Sequence, residues 1–330
     1  MKLKIVFVAI YLIFLGNLQG QISTYPKDNP VELGKVNWYR DYDKAVSASQ
    51  KQRLPILILF QEVPGCDNCT TFGNDILSHP LIVEAIETCF IPLCIHNNKD
   101  GHDRKILQKF KEPEWNNPVI RVVDANGHDI VPRQPDFRSK SKTLTSMIRA
   151  ITSQGSEVPG YLTLLKEEVE AKESGHISEA YFSMYCFWSG EKEIAAIDGV
   201  IGTEAGYMHG KEVVKIKFRD DQNTLDNIFE KSQKVKCGDE IYASVQSNTT
   251  TKIKPIGKYR KDAEDKYYLL NSPYKSIPMT ELQKTKVNRA IAIGADADIY
   301  LSPRQLAILS SKKDLANNVS KSIEDVWWVR

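Results

Sequence analysis

Apolar residues fall along this chain in two rhythms. LPILILF at 54–60 and the stretch 90–95 are unbroken apolar runs of strand length, the pattern of strands buried on both faces. PVIRVVD at 118–124 is a third strand signal and ends in a turn at Ala125-Asn126-Gly127. Between them the spacing is helical. Residues 36–50 carry Trp38, Tyr42, Ala45 and Val46 on one side, residues 76–89 carry Leu77, Leu81, Val83 and Ile86, and shorter helices are expected at 106–110 and 144–151. Residues 153–160, with Ser, Gly and Pro, interrupt the pattern as a linker, and 161–173 resumes it as a charged amphipathic helix. A second α/β stretch opens at Ala180 with a short apolar strand, a helical pattern after Cys186, and an apolar run at 213–218. The tail adds helices at 281–293 and 303–315 and is expected to pack over this second unit.

A length of 330 residues suggests about two domains at ~150 residues each, and 42% apolar residues allow a sizeable core. The net charge of +2 is spread evenly, which argues against nucleic acid as a partner. The N-terminus departs from this pattern. MKLK precedes eleven apolar residues at 5–15, too few to cross a bilayer of about 30 Å but suited to the core of an export signal. Residues 1–20 are therefore expected to be a cleaved signal peptide, giving a periplasmic or secreted protein with no stable membrane insertion. An uncleaved anchor is the alternative. The N-x-S/T sites at Asn68, Asn248 and Asn318 matter only in a eukaryotic secretory route.

Six cysteines in an exported chain of this size are too sparse for a disulfide scaffold. Only Cys66 and Cys69 have C-x-x-C spacing, where Pro64-Gly65 ends a strand and a helix follows. Two such thiols at a helix N-terminus can close a disulfide across one turn, the first being the more exposed and activated. A zinc site would need further ligands that the neighbourhood does not supply as C-x-x-C or H-x-x-x-H, and a purely structural disulfide is the other reading. Cys89 and Cys94 read as buried small hydrophobes. The order strand, C-x-x-C helix, strand, helix, Pro-led strand, helix resembles the thioredoxin fold over residues 35–153. That resemblance implies a cis-proline beside the dithiol, at Pro118. VPGCDNCT is also similar to exported thioredoxin-like proteins in which the first sulfur position can be selenocysteine.

Cys186 stands where a strand gives way to a helix, among free N–H groups and at the positive end of the helix dipole. Both favour the thiolate, so it reads as a nucleophile, with Phe187 and Trp188 as the wall of an apolar pocket. CFWSGE, then Gly199-Val200, then Gly206-Tyr207 resembles the peptide methionine sulfoxide reductase type A pattern G-C-F-W-G-x-E, G-V, G-Y-x-G-G, in register. HGKEVVKIKF and DAEDKYYLLNSPY resemble its later G-H-A-E-x-V and A-E-D-Y-H-Q segments, so that the clear similarity covers about residues 179–274. The resemblance places Glu212 at the acid position.

Sulfoxide reduction needs a nucleophile at sulfur and a proton donor at oxygen. Cys186 supplies the first and Glu212, kept protonated by partial burial, the second. Phe187 and Trp188 would hold the methyl, and Tyr207 could lend a hydroxyl. The sulfenic acid left on Cys186 must be resolved by another thiol. Cys237 is the local candidate, with the Cys66/Cys69 dithiol behind it or acting directly. The chain departs from the family at Met184-Tyr185, where two glycines are usual, and at Ser189. It lacks the T-Y-R-x-V-C-S-G segment between Tyr207 and Glu212, and a second tyrosine has only a loose counterpart in Tyr242, with Asp239 nearby. The histidine of the later segment is replaced in EDKYY.

Together these readings give an α/β protein: an N-terminal thioredoxin fold at 35–153, a linker and bridging helix at 154–178, and a methionine sulfoxide reductase A-like sandwich with helical extension at 179–330. Its expected partners are oxidised methionine-containing proteins or peptides and an external thiol or disulfide reductase, with no cofactor and no metal. Two alternatives remain: a thiol-disulfide oxidoreductase carrying an inactive reductase fold, and a non-enzymatic binder of oxidised or extended peptides.

Overall fold

The computed structural model describes residues 29–115, 117–136, 138–244, 250–311 and 317–328. The signal-peptide reading at 1–20 and Asn248 lie outside them. Among the described residues, no helix is long and apolar enough to cross a membrane.

The first unit runs α1 (Tyr42–Gln52), β1 (Ile56–Gln61), α2 (Asp67–Asp75), α3 (Pro80–Cys89), β2 (Ile91–His96), α4 (His102–Phe110), β3 (Val119–Val123) and α5 (Lys140–Ser153). Its sheet has the order β2-β1-β3, with β1 parallel to β2 and antiparallel to β3. Bridges at Tyr39–Leu93 and Ile120–Gln134 widen both edges. All six residues of β1 are buried, as an unbroken apolar run requires of a central strand covered on both faces. The helix expected at 36–50 starts only at Tyr42. Asp41 accepts from Lys44 N and caps it, while Tyr39 is still extended. The helical pattern at 76–89 is divided, because Pro80 opens α3 with its fixed φ after α2 has closed at Ile76.

The helix α6 (Gly160–Ser174) leads into the second unit. This comprises β4 (Ile177–Ser183), α7 (Phe187–Ile194), β5 (Val200–Met208), β6 (Lys211–Arg219), α8 (Leu225–Lys234), β7 (Glu240–Ala243), β8 (Ile253–Lys254), β9 (Arg260–Lys261) and α9 (Tyr267–Leu270). The strands form one sheet of order β8-β7-β4-β6-β5-β9, antiparallel except for the β7–β8 pair. Alternation sorts its residues: Ala180, Phe182, Ala205, Val214 and Ile216 join Phe187 and Ile194 of α7 in one core, while Tyr181, Met208, Val213 and Tyr242 cluster apart from it.

The tail continues as α10 (Glu281–Ala292), α11 (Pro303–Ser310) and α12 (Ile323–Trp327). It does not pack over the second unit alone. Helix α10 lies against α7 and β5, but Ile323 and Trp327 enter the core of the first unit, and Trp328 Nε1 donates to Ser78 O at 3.2 Å. Helix α6 likewise gives Tyr161, Leu162 and Leu165 to the first core and Leu164 and Ala171 to a cluster with Ile201 of β5. The apolar side chains of α12 are buried against α3.

Candidate active site

Helix α2 begins at Cys66, which is its N-cap and exposed, whereas Cys69 one turn on is fully buried. Gly65 makes this turn possible, since a Cβ there would stand 2.6 Å from Cys69 Cβ. The two sulfurs are 3.7 Å apart and are free thiols, a dithiol and not a disulfide. Cys69 Sγ donates to Asn117 Oδ1 at 2.8 Å, and the Asn117–Pro118 bond is cis. Pro118 therefore follows the residue that touches the buried thiol. Burial pushes Cys69 up to about 12, with the neighbouring Cys66 adding to the rise. Gln61 Nε2 donates to the Cys69 carbonyl at 3.1 Å and Gly65 N to Glu32 Oε1 at 2.7 Å, which ties the turn to the strand and to the preceding segment. Glu62 brings its carboxylate to the two sulfurs, the donor atoms all within 4.8 Å of one another. That supplies three donors for a metal, one fewer than a closed structural zinc site uses.

Cys186 is the N-cap of α7 and half-buried. The adjoining Met184 is buried against Gly190, where a Cβ would collide with its sulfur, while Tyr185 is 96% exposed. Glu212 reaches the same helix end. Its Oε2 accepts from Phe187 N at 2.9 Å, and its own carbonyl accepts from Met184 N at 3.1 Å. Tyr207 pairs directly with Glu212 across β5 and β6, which puts phenol and carboxylate on one face of the sheet.

Aromatic rings then run outward in sequence. Tyr207 meets Phe187 edge-on at 5.3 Å between centroids, Phe187 meets Trp188 at 5.5 Å, Trp188 stacks on Tyr267 at 4.1 Å, and Tyr267 meets Tyr268 at 5.6 Å. The structure thus brings Cys186, Phe187, Trp188, Tyr207 and Glu212 together. Tyr242 is not among them. In β7 it faces the cluster of Tyr181, Met208 and Val213 and donates to Glu240 Oε2 at 2.5 Å, because strand alternation turns it away from α7.

Cys237 is buried, its Sγ 3.5 Å from Val235 O. Ser183 of β4 pairs with Glu240 of β7, so Cys186 and Cys237 leave the same end of this strand pair, each three residues past that rung. Burial pushes the Cys237 thiol up. Among the described residues, no hydrogen bond, ion pair or ring contact joins Cys66 or Cys69 to Cys186 or Cys237. Beside the first pair lies a cleft of about 510 Å³ whose lining includes no residue of the Cys186 site. Asn68, between the first two cysteines, lines it with Thr280, the N-cap of α10.

Arg260 carried no motif, and the motif segments did not reveal how Glu191 and Lys266 pair. Arg260 sets its guanidinium 4.4 Å over the Tyr207 ring, and Lys266 and Glu191 form a buried pair under α7. Tyr267 takes the place of the family's histidine, so the EDKYY segment signalled a change without saying that a ring would stack on Trp188.

Residues 37–125 match a protein-family model described as Thioredoxin-like. One curated relative, the peptide methionine sulfoxide reductase MsrA of Methanococcus maripaludis, is 37% identical over 68 residues, 16% of this chain. The match spans 43% of that protein, less than half its length. Among solved structures, a thioredoxin from Thermus thermophilus has 18% identity and a TM-score of 0.32, and a DsbH oxidoreductase 16% and 0.30. Each match covers 36% of this chain and 90% of the other. The N-terminal part is thioredoxin-like, and the chain as a whole is an α/β protein with the features of a redox enzyme.

Proposed function

We propose that the chain reduces methionine sulfoxide in peptides or proteins, with Cys186 as nucleophile and Glu212 as proton donor. The observation that carries this reading is the Glu212 Oε2 to Phe187 N hydrogen bond at the helix end that Cys186 caps. It supports a carboxyl acting at the helix end that carries the thiol. The Cys186 sulfur attacks the sulfoxide sulfur, and the oxygen takes a proton from Glu212. Thioether leaves, the oxygen remains on Cys186 as sulfenic acid, and the cysteine has lost two electrons. The Cys237 thiol then attacks that sulfur and releases water, forming a Cys186–Cys237 disulfide. Exchange with the Cys66/Cys69 dithiol returns two thiols and leaves a Cys66–Cys69 disulfide for an external thiol reductant. Phe187, Trp188, Tyr207 and Tyr267 provide the apolar wall for the methyl group.

The exposed Cys66 over a buried Cys69 also favours a narrower reading, a thiol-disulfide oxidoreductase that uses the first unit alone. One set of assays separates the two. With dithiothreitol as reductant, the parent reduces a methionine sulfoxide peptide and Cys186→Ser does not, while Cys66→Ser loses reduction of insulin disulfides. A parent inactive on the sulfoxide, or a Cys186→Ser variant with full activity, refutes the reductase reading.

A further inference from the structure

The row that holds Tyr207 extends one strand beyond it. Glu212 of β6 pairs with Tyr207 of β5, and Tyr207 pairs in turn with Arg260 of β9. Directly paired residues share a face, so acid, phenol and guanidinium stand side by side on the face that α7 covers. Gly206 lets β9 approach: a Cβ there would lie 2.4 Å from the Tyr259 ring and 2.6 Å from the Arg260 carbonyl.

On this edge Lys261 is paired within the chain, binding Glu204 and Asp265. Arg260 has no carboxylate partner among the described residues. It is exposed and rests on the Tyr207 ring at 4.4 Å, a contact that fixes the plane of the guanidinium and leaves its donors free. Lys258, two residues earlier, is likewise exposed and has no ion pair among the described residues.

We infer that Arg260 is a specificity-determining residue that binds a carboxylate on the substrate, so that the site selects sulfoxides in acidic peptides. This rests on the reductase reading of Cys186. Adjacent strands are about 4.8 Å apart, so Arg260 sits ~10 Å from Glu212, and an extended peptide advances about 3.4 Å per residue. The carboxylate recognised therefore lies two or three residues from the methionine sulfoxide. It is an acidic side chain or a free C-terminal carboxylate.

The test uses N-acetylated, C-amidated peptides with methionine sulfoxide and Glu, Gln or Lys two or three residues away. A fourth peptide carries Gln and a free C-terminus. Turnover is measured for the parent and Arg260→Met, and binding for Cys186→Ser with and without Arg260→Met, by anisotropy of labelled peptides. The parent should favour Glu over Gln by about fivefold, the upper range for one partly exposed ion pair, and Glu over Lys by more. Arg260→Met should bring the Glu/Gln ratio to about one, as should salt near 1 M, where the screening length is about 3 Å. If only the free C-terminus gains, that terminus is the ligand. Equal binding of all peptides, no binding of any, or a preference that survives Arg260→Met overturns the inference. Absence of turnover with the binding preference intact refutes the reductase reading and leaves the carboxylate site standing.

Discussion

Lys266→Met should unfold the second unit far more easily than a single change usually does. Glu191 has no exposed surface and Lys266 keeps 4%. The ammonium donates to Glu191 Oε1 at 2.6 Å, to Asp265 Oδ1 at 3.2 Å and to the Thr203 carbonyl. Lys266 N donates to Glu191 Oε2 at 3.1 Å and Thr203 Oγ1 to Oε1 at 3.1 Å. Without the ammonium, Glu191 keeps the latter two donors but no cation, and stranding one member of a buried pair costs about 3–5 kcal/mol. Removing both charges leaves no unpaired charge at position 191, so Lys266→Met with Glu191→Gln should recover most of that loss. The pH dependence has a definite sign. Burial already pushes Glu191 up, and without the Lys266 ammonium the push loses its largest opposing charge. A carboxyl whose folded value exceeds its unfolded one adds stability at low pH and loses it as pH rises, so the deficit should be smaller near pH 5.5 than near pH 8. Urea unfolding read by circular dichroism gives the free energies, and tryptophan fluorescence reports the Trp188–Tyr267 stack, since Tyr267 directly follows Lys266. A single variant within about 1 kcal/mol of the parent near neutral pH, or a double variant as unstable as the single, would refute the reasoning.

Two further changes test the first unit. Cys66 should be alkylated by iodoacetamide long before Cys69: with its value near 12, Cys69 is thiolate only on the order of one part in ten thousand at pH 8, and comparable labelling in mass-mapped peptides would contradict its burial. Trp327→Ala should destabilise the first unit by about 3–5 kcal/mol, although position 327 lies in the C-terminal tail, and an unchanged urea midpoint for that unit would mean that α12 is not part of its core.

Local pattern carried the first unit well because each strand is an apolar run and each helix has a boundary residue. Its errors lie where capping overrides periodicity: Asp41 delays α1, and Pro80 divides a pattern that looks continuous. The tail was misjudged for a different reason. Apolar spacing tells which side of a helix is buried but not against what, and α12 returns to α3 across more than 200 positions, as the Trp328–Ser78 bond separated by 250 residues illustrates. Motifs located Cys186, Phe187, Trp188, Tyr207 and Glu212, yet not Arg260 or Lys266. Both are ordinary basic residues in sequence, and only pairing with β5 and burial under α7 distinguish them from Lys258 or Lys254.

The polar side of the second unit's site follows from how its strands are joined. Without an insertion between Tyr207 and Glu212, β5 and β6 form a tight hairpin through His209-Gly210, and the two residues become direct partners. The phenol is then held from both sides, by Phe187 edge-on and by Arg260 on its face. Tyr242, turned away by strand parity, could not have filled that place, whereas Arg260 stands in the same row. The hairpin sets the polar side of the site on three adjacent strands. Gly206 is then indispensable, because any side chain there drives β9, and Arg260 with it, off the edge of the sheet.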